Sequence, residues 1–178
     1  MTETISADTT IDPERLFNND SIDTEERTHT HENEEHYRNR CEAGTVGRTI
    51  VGITDADGRL LLLTDPEEGH ALLPNDTVAP GEEWATVGRN WVEGAVGVDV
   101  AIEDIERVRR IEHAIENRDG VEPVTYQIVF GASVPSTGTI PDGLCAENPF
   151  ELGWYGELPF ELDDAGPGIL DDIRLFVD

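Results

Sequence analysis

The sequence predicts an α+β domain, and three stretches carry that prediction. Residues 48–65 read "RTIVGIT", then "DADG", then "RLLLLTD": two apolar runs joined by a turn, the pattern of a β-hairpin. Residues 82–96 have helix-type spacing between two glycines, Gly81 and Gly97. Residues 124–134, "VTYQIVFGASV", place Val124, Tyr126, Ile128 and Phe130 on one face of a strand.

The other elements follow in order. "HALLP" at 70–74 is a further short strand, and "NDTVAPG" at 75–81 a turn-rich loop. "AIEDIERVRRIEHAIEN" at 101–117 fits two patterns. Ile105, Val108, Ile111 and Ile115 have helical spacing, while Ile111, His113 and Ile115 alternate as in a strand. A strand needs a partner, and "NRDG" turns the chain straight into residues 124–134. Residues 107–116 therefore read as the first arm of a second hairpin. "PSTGTIPDG" is a loop and "FELGWYGELP" holds a short strand. "PGILDDIRLFVD" closes the chain as a helix that starts at Pro167, with Ile169, Ile173 and Phe176 on one face.

Residues 1–43 are polar and acidic, with too few large apolar groups to bury much surface. They are expected to form a tail, partly disordered or with short helices, ahead of a domain over 44–178. Asp12-Pro13-Glu14 marks one helix start. His29, His31 and His36 form a loose trio without a fourth ligand and read as a solvated face rather than a metal site.

The formal charge of the 178 residues is −27, from 39 acids against 12 bases, and every base is arginine. That leaves no basic footprint for nucleic acid. It suits a salt-rich cytoplasm, where ions screen self-repulsion. No run approaches the length of a membrane span, and the first residues lack a secretory pattern, so a cytoplasmic location is expected. Cys41 and Cys145 read as incidental thiols of a reducing compartment, although spacing leaves open whether they meet.

Three features resemble the Nudix hydrolase family. "LPNDTVAPGEEW" resembles its loop before the catalytic helix, Glu82 and Gly97 keep the spacing of the Nudix box, and "ELGWYGELP" resembles a late stretch of many members. The resemblance covers about residues 46–178. It implies an α/β/α sandwich with a mixed β-sheet, a nucleotide-like diphosphate ligand, and Mg²⁺ as cofactor if the chain is active. Aligned on the box, Glu82, Val92, Gly97 and Val98 match. The first glycine falls on Asp76, the arginine on Asn90, and the three core glutamates on Trp91, Gly94 and Ala95. Those glutamates hold the metal in the family, so the box is degenerate where its chemistry lies.

Arg89 and Glu93 each stand one place before an expected arginine or glutamate. A one-residue shift turns a helical side chain by about 100°. On a helical wheel Glu82, Arg89 and Glu93 gather on one side, and Trp84, Val87, Trp91 and Ala95 on the other. Arg89 and Glu93 then read as a solvated i, i+4 pair, unless a bulge in the helix restores the register. Trp84 and Trp91 read first as core, with the stacking of a base as the functional reading.

Two functions follow. In the first, the degenerate box leaves weak or no standard Mg²⁺-dependent pyrophosphohydrolase activity, and the cleft binds a nucleotide-like diphosphate through Trp91 and Arg89. In the second, a rearranged carboxylate set hydrolyses a nucleoside-diphosphate-linked substrate. Glu82 and Glu93 would then be catalytic and hold the metal, joined by loop acids such as Glu116, Asp119, Glu122 or Glu151. A protein-interaction module working through the acidic tail ranks last. His70 and His113 read as ordinary strand or loop residues.

Overall fold

The computed structural model describes residues 12–33, 35, 45–55, 57–65, 67, 70–96, 100–116, 122–134, 151–156 and 172–176. In chain order these form α1 (Pro13–Phe17), β1 (Thr24–His31), β2 (Gly47–Thr54), β3 (Leu60–Asp65), β4 (His70–Leu72) and β5 (Asn75–Val78). Then come α2 (Trp84–Val96), β6 (Ala101–Ile115), β7 (Glu122–Ser133) and β8 (Glu151–Tyr155). A last helical turn lies at 172–176.

All eight strands join one sheet. Its main order is β1-β6-β7-β2-β3-β4, with β5 on β2 and β8 on β3. The sheet is mixed: β1 with β6 and β2 with β7 run parallel, and the other pairs antiparallel. Both expected hairpins are present. β2 turns into β3 through Asp55, whose carboxylate accepts from the backbone N–H groups of Asp57 and Arg59 and from the Arg59 side chain. β6 turns into β7.

The core lies on both faces of the sheet, which is why the central strands read as unbroken apolar runs. Toward α2 point Val51 and Ile53 of β2, Leu61 of β3, and Ile128, Phe130 and Ala132 of β7. They pack with Trp84, Ala85 and Val92. Away from α2 point Ile50, Leu60, Leu62 and Val129, which pack with Ile173 of the last turn. Among the described residues α1 and α2 thus lie on one face of a mixed sheet and the helical turn at 172–176 on the other, consistent with the α+β architecture that the resemblance implied. Ile173 and Phe176 take the packing role read for the closing helix. Pro167 and Ile169 lie outside the described residues. No helix among the described residues is long and apolar enough to cross a membrane.

Two stretches differ from the sequence reading. Asn75–Val78, read as loop, is a strand, because β2 offers an open edge beside Gly47–Ile50. The second difference is larger. Residues 24–31, read as part of a polar tail with short helices, form the edge strand β1, paired along its length with β6. The short helix α1 matches that reading. β1 is held by partners on β6 rather than by apolar content of its own. Glu25 meets Arg109 at 3.1 Å, Asp23 meets Arg107 at 2.8 Å, and Glu26 meets Arg110 at 3.5 Å. His31 is buried, not solvated. His36, Cys41 and Cys145 lie outside the described residues.

Arg109 is 1 % exposed and forms a fork with Asp172, at 2.7 and 3.2 Å, besides bonds to Glu25 and to Gln127 at 2.6 Å. Burial works against its charge. Hydrogen bonding and attraction from Asp172 and Glu25 outweigh that and hold the guanidinium above its ordinary range. This cluster joins β1, β6, β7 and the last turn.

Candidate functional site

The candidate site is built from β5, the turn after it, and α2. Ala79-Pro80-Gly81-Glu82 is a turn closed by the Glu82 N–H on the Ala79 carbonyl at 3.0 Å. Gly81 has φ +91°, which a type II turn requires at that position and a side chain resists. The Glu82 carboxylate closes the same turn from the other side, accepting from the Ala79 N–H at 2.8 Å. The Glu83 carbonyl then accepts from the Val87 N–H at the start of α2.

α2 is a regular α-helix over Trp84–Val96, without the bulge that would restore the box register. Its core face is Trp84, Ala85, Gly88 and Val92. Gly88 lets the helix lie close on β2: a Cβ there would stand 2.5 Å from a Thr49 methyl and 2.8 Å from one of Val51. The Thr49 hydroxyl also donates to the Trp84 carbonyl at 2.9 Å. Gly94, the other helical glycine, faces open space.

On the flank of this face lies a cavity of about 460 Å³ lined by Asp76, Glu82, Glu83, Thr86, Val87, Asn90 and Trp91. Trp91 is half-buried, packed against the core on one side and lining the cavity on the other. Trp84 is core alone, 4 % exposed.

The sequence-derived candidates divide here. Glu82 and Trp91 line the cavity; Arg89 and Glu93 do not. Arg89 faces Glu93 at 4.0 Å, as an i, i+4 pair should. The second Glu93 oxygen accepts from the Val100 N–H at 3.0 Å, so this side chain secures the chain beyond α2. Of the loop acids, Glu116 follows β6 and is exposed, Glu122 begins β7 and Glu151 begins β8. Asp119 lies outside the described residues. Asp76, Glu83, Thr86, Val87 and Asn90 complete the lining without having been singled out as site residues. The signal was present: 83, 86, 87, 90 and 91 form one stripe at helical spacing.

The residues present do not fit a magnesium ion of the box type. The aligned positions carry Trp91 and Gly94 in place of acids, and Glu82 and Glu93 are engaged with backbone N–H groups. Among the described residues, no three His, Cys, Asp or Glu side chains stand together as an ion requires. What the cavity offers is an indole surface, two neutral polar side chains and acceptor oxygens, with no arginine among the described residues of its wall.

No family model matches the chain, and no curated protein matches it by sequence. Among solved structures it is similar to a UDP-X diphosphatase, at 16 % identity and a TM-score of 0.43 over 75 % of this chain. The match spans 63 % of that protein's length. It is also similar to a pyrophosphohydrolase of Bacillus subtilis, at 13 % identity and a TM-score of 0.42, over 81 % of this chain and 94 % of that one.

Proposed function

We propose that the chain binds a nucleotide-like diphosphate ligand in the cavity beside α2, and that standard Mg²⁺-dependent pyrophosphohydrolysis is weak or absent. One observation carries this reading. Trp91 lines the cavity at a position where the box places a metal-holding glutamate, while the carboxylates of Glu82 and Glu93 each accept a backbone N–H. An indole face suits a nucleobase, and such stacking contributes about 1–3 kcal/mol. Asn90 and Thr86 supply hydrogen bonds for a base or sugar.

The acids of the wall repel phosphates at low salt. In concentrated salt the screening length shrinks to about 3 Å, and that repulsion fades. The proposed setting is therefore a salt-rich cytoplasm, with neither nucleic acid nor membrane as partner.

A second reading keeps Glu82, which lines the cavity, and Glu93 in a rearranged hydrolytic set completed by acids of the loops. Titration calorimetry with ADP-ribose in concentrated potassium chloride, with and without Mg²⁺, separates the two. Binding that is indifferent to Mg²⁺, without turnover, is expected. Binding and turnover that both require Mg²⁺ would establish the second reading instead.

A further inference from the structure

We propose that the cavity beside α2 selects guanine: the base stacks on Trp91 and gives its N1–H and N2–H to the carboxylate of Glu83. This rests on the reading that the cavity holds a nucleotide-like ligand, and it names the base and the residue that chooses it.

The wall is rich in acceptors. Asp76, Glu82 and Glu83 bring three carboxylates, and an ionised carboxylate only accepts hydrogen bonds. Among the described lining residues neither arginine nor histidine stands against them. Phosphate oxygens are acceptors too and gain nothing from these acids. The end of the ligand that enters is therefore the base, with its phosphates directed away from the carboxylates.

The three acids are not equivalent. One Asp76 oxygen accepts from the Thr77 N–H at 2.9 Å, and one Glu82 oxygen accepts from the Ala79 N–H at 2.8 Å. The Glu83 carboxylate makes no hydrogen bond or ion pair with any described residue. It is half-buried, whereas Asp76 and Glu82 are exposed. Shielding from water strengthens the hydrogen bonds that a carboxylate accepts. Glu83 thus has both oxygens to offer, in the driest of the three places.

Two oxygens side by side match two N–H groups side by side. Guanine carries such a pair at N1 and N2. Adenine and cytosine set an amino group beside a bare ring nitrogen, and uracil flanks its one N–H with two carbonyls. Each of these turns a lone pair toward a carboxylate oxygen, which leaves an acceptor facing an acceptor.

The spacing along α2 fits. Glu83 opens the first turn, its carbonyl accepting from the Val87 N–H at 3.0 Å. Glu83, Val87 and Trp91 then follow at four-residue intervals on one side of the helix. Eight residues of helix span about 12 Å. Long helical side chains lean toward the N-terminus, which brings an indole at 91 back over the turn before it. The interval that remains, floored by Val87, suits a purine lying lengthwise. Asn90, on the same side as Glu83, has the amide N–H that the guanine O6 requires.

The test is titration calorimetry of the full chain in concentrated potassium chloride with GDP, IDP, ADP and UDP. IDP differs from GDP in lacking the N2 amine. GDP is expected to bind at least about ten-fold more tightly than the other three, the discrimination of one bidentate pair. Glu83→Gln puts one donor where the base needs two acceptors, and is expected to bring GDP and IDP within about two-fold of each other. Equal binding of all four nucleotides would overturn the selection of guanine and leave the nucleotide-binding reading standing. Binding of none would overturn both. A preference for GDP that survives Glu83→Gln would overturn the proposal as well, since another group then makes the choice. If the variant folds poorly, the gap between GDP and IDP in the wild type decides, because the N2 amine alone separates them.

Discussion

Glu93 holds the backbone of Val100: its carboxylate accepts the Val100 N–H at 3.0 Å and ties α2 to the residue before β6. The role is structural. Glu93→Ala should lower stability by about 1–2 kcal/mol, the ordinary worth of a partly buried hydrogen bond to a charged group. It should leave Mg²⁺ affinity unchanged. Chemical denaturation and calorimetry on the same preparation check both halves.

Trp91 and Arg89 are two residues apart on α2 and face different surroundings, so their substitutions should separate. Trp91→Ala should weaken ADP-ribose binding roughly 10- to 100-fold, the equivalent of about 1–3 kcal/mol of lost stacking. Arg89→Ala should leave the dissociation constant within about two-fold, since its partner is a half-exposed Glu93.

The two helical glycines should respond in opposite directions to alanine. At Gly94 the side chain enters open space, and stability should rise by up to about 1 kcal/mol from helix propensity. At Gly88 the same gain is offset by contact with Thr49 and Val51, and overpacking of about 1–3 kcal/mol should win. Thermal melts of the two variants give the comparison directly.

Asp172 is the partner that Arg109 grips with both terminal nitrogens. Asp172→Ala leaves a buried guanidinium with Glu25 and Gln127 alone, and should cost about 3–5 kcal/mol. Added salt should change that cost little, because the fork is buried. A variant as stable as the wild type in denaturant would mean that the charge finds water or another partner.

Glu106 supplies a pH test. Burial, and then the nearby charge of Asp104, hold its carboxyl above the ordinary glutamate range. The folded chain therefore binds this proton more readily than the unfolded chain. Its contribution is fully present below the unfolded value and is lost as pH rises through the folded one. Glu106→Gln should be more stable than the wild type at neutral pH, and the gain should shrink as the solution is acidified. Denaturant midpoints across that range read it out.

Much of the fold was legible because its central strands are buried on both faces. "TIVGI" and "LLLL" need no tertiary context to read as interior strands. β6 was ambiguous for a physical reason. Its pairing with β7 shifts register between Ile102 and Asp104, between Ile105 and Arg107, and between Ile111 and His113. The shift between Ile105 and Arg107 lets Ile105 and Val108 pack on the same face, and Ile111, buried on the other face, completes a spacing that mimics a helix. β1 was not legible at all. "TEERTHTH" contains nothing apolar, and its reason for being a strand lies in Arg107, Arg109, Arg110 and His113 on another segment.

The cavity was half legible. Motif alignment found Glu82 and Trp91, since they keep their places in the box frame. It also drew attention to Arg89 and Glu93 for being near a place where their residue type was expected. The fold gives each of these two an ordinary task, because one step around a helix points a side chain at a different neighbour. Asp76 belongs to the wall only because residues 75–78 form a strand, which their composition did not announce.

The parallel pairing of β1 with β6 also has a consequence for how the chain assembles. Glu25 and Arg109, which meet in that pairing, are 84 residues apart in the chain. β1 is made early in synthesis and has nothing to pair with until β6 follows. β6, by contrast, closes onto β7 through a short connection at small entropic cost. β1 is thus synthesised well before the partner it pairs with, and its polar sequence suits a segment that meets water in the meantime.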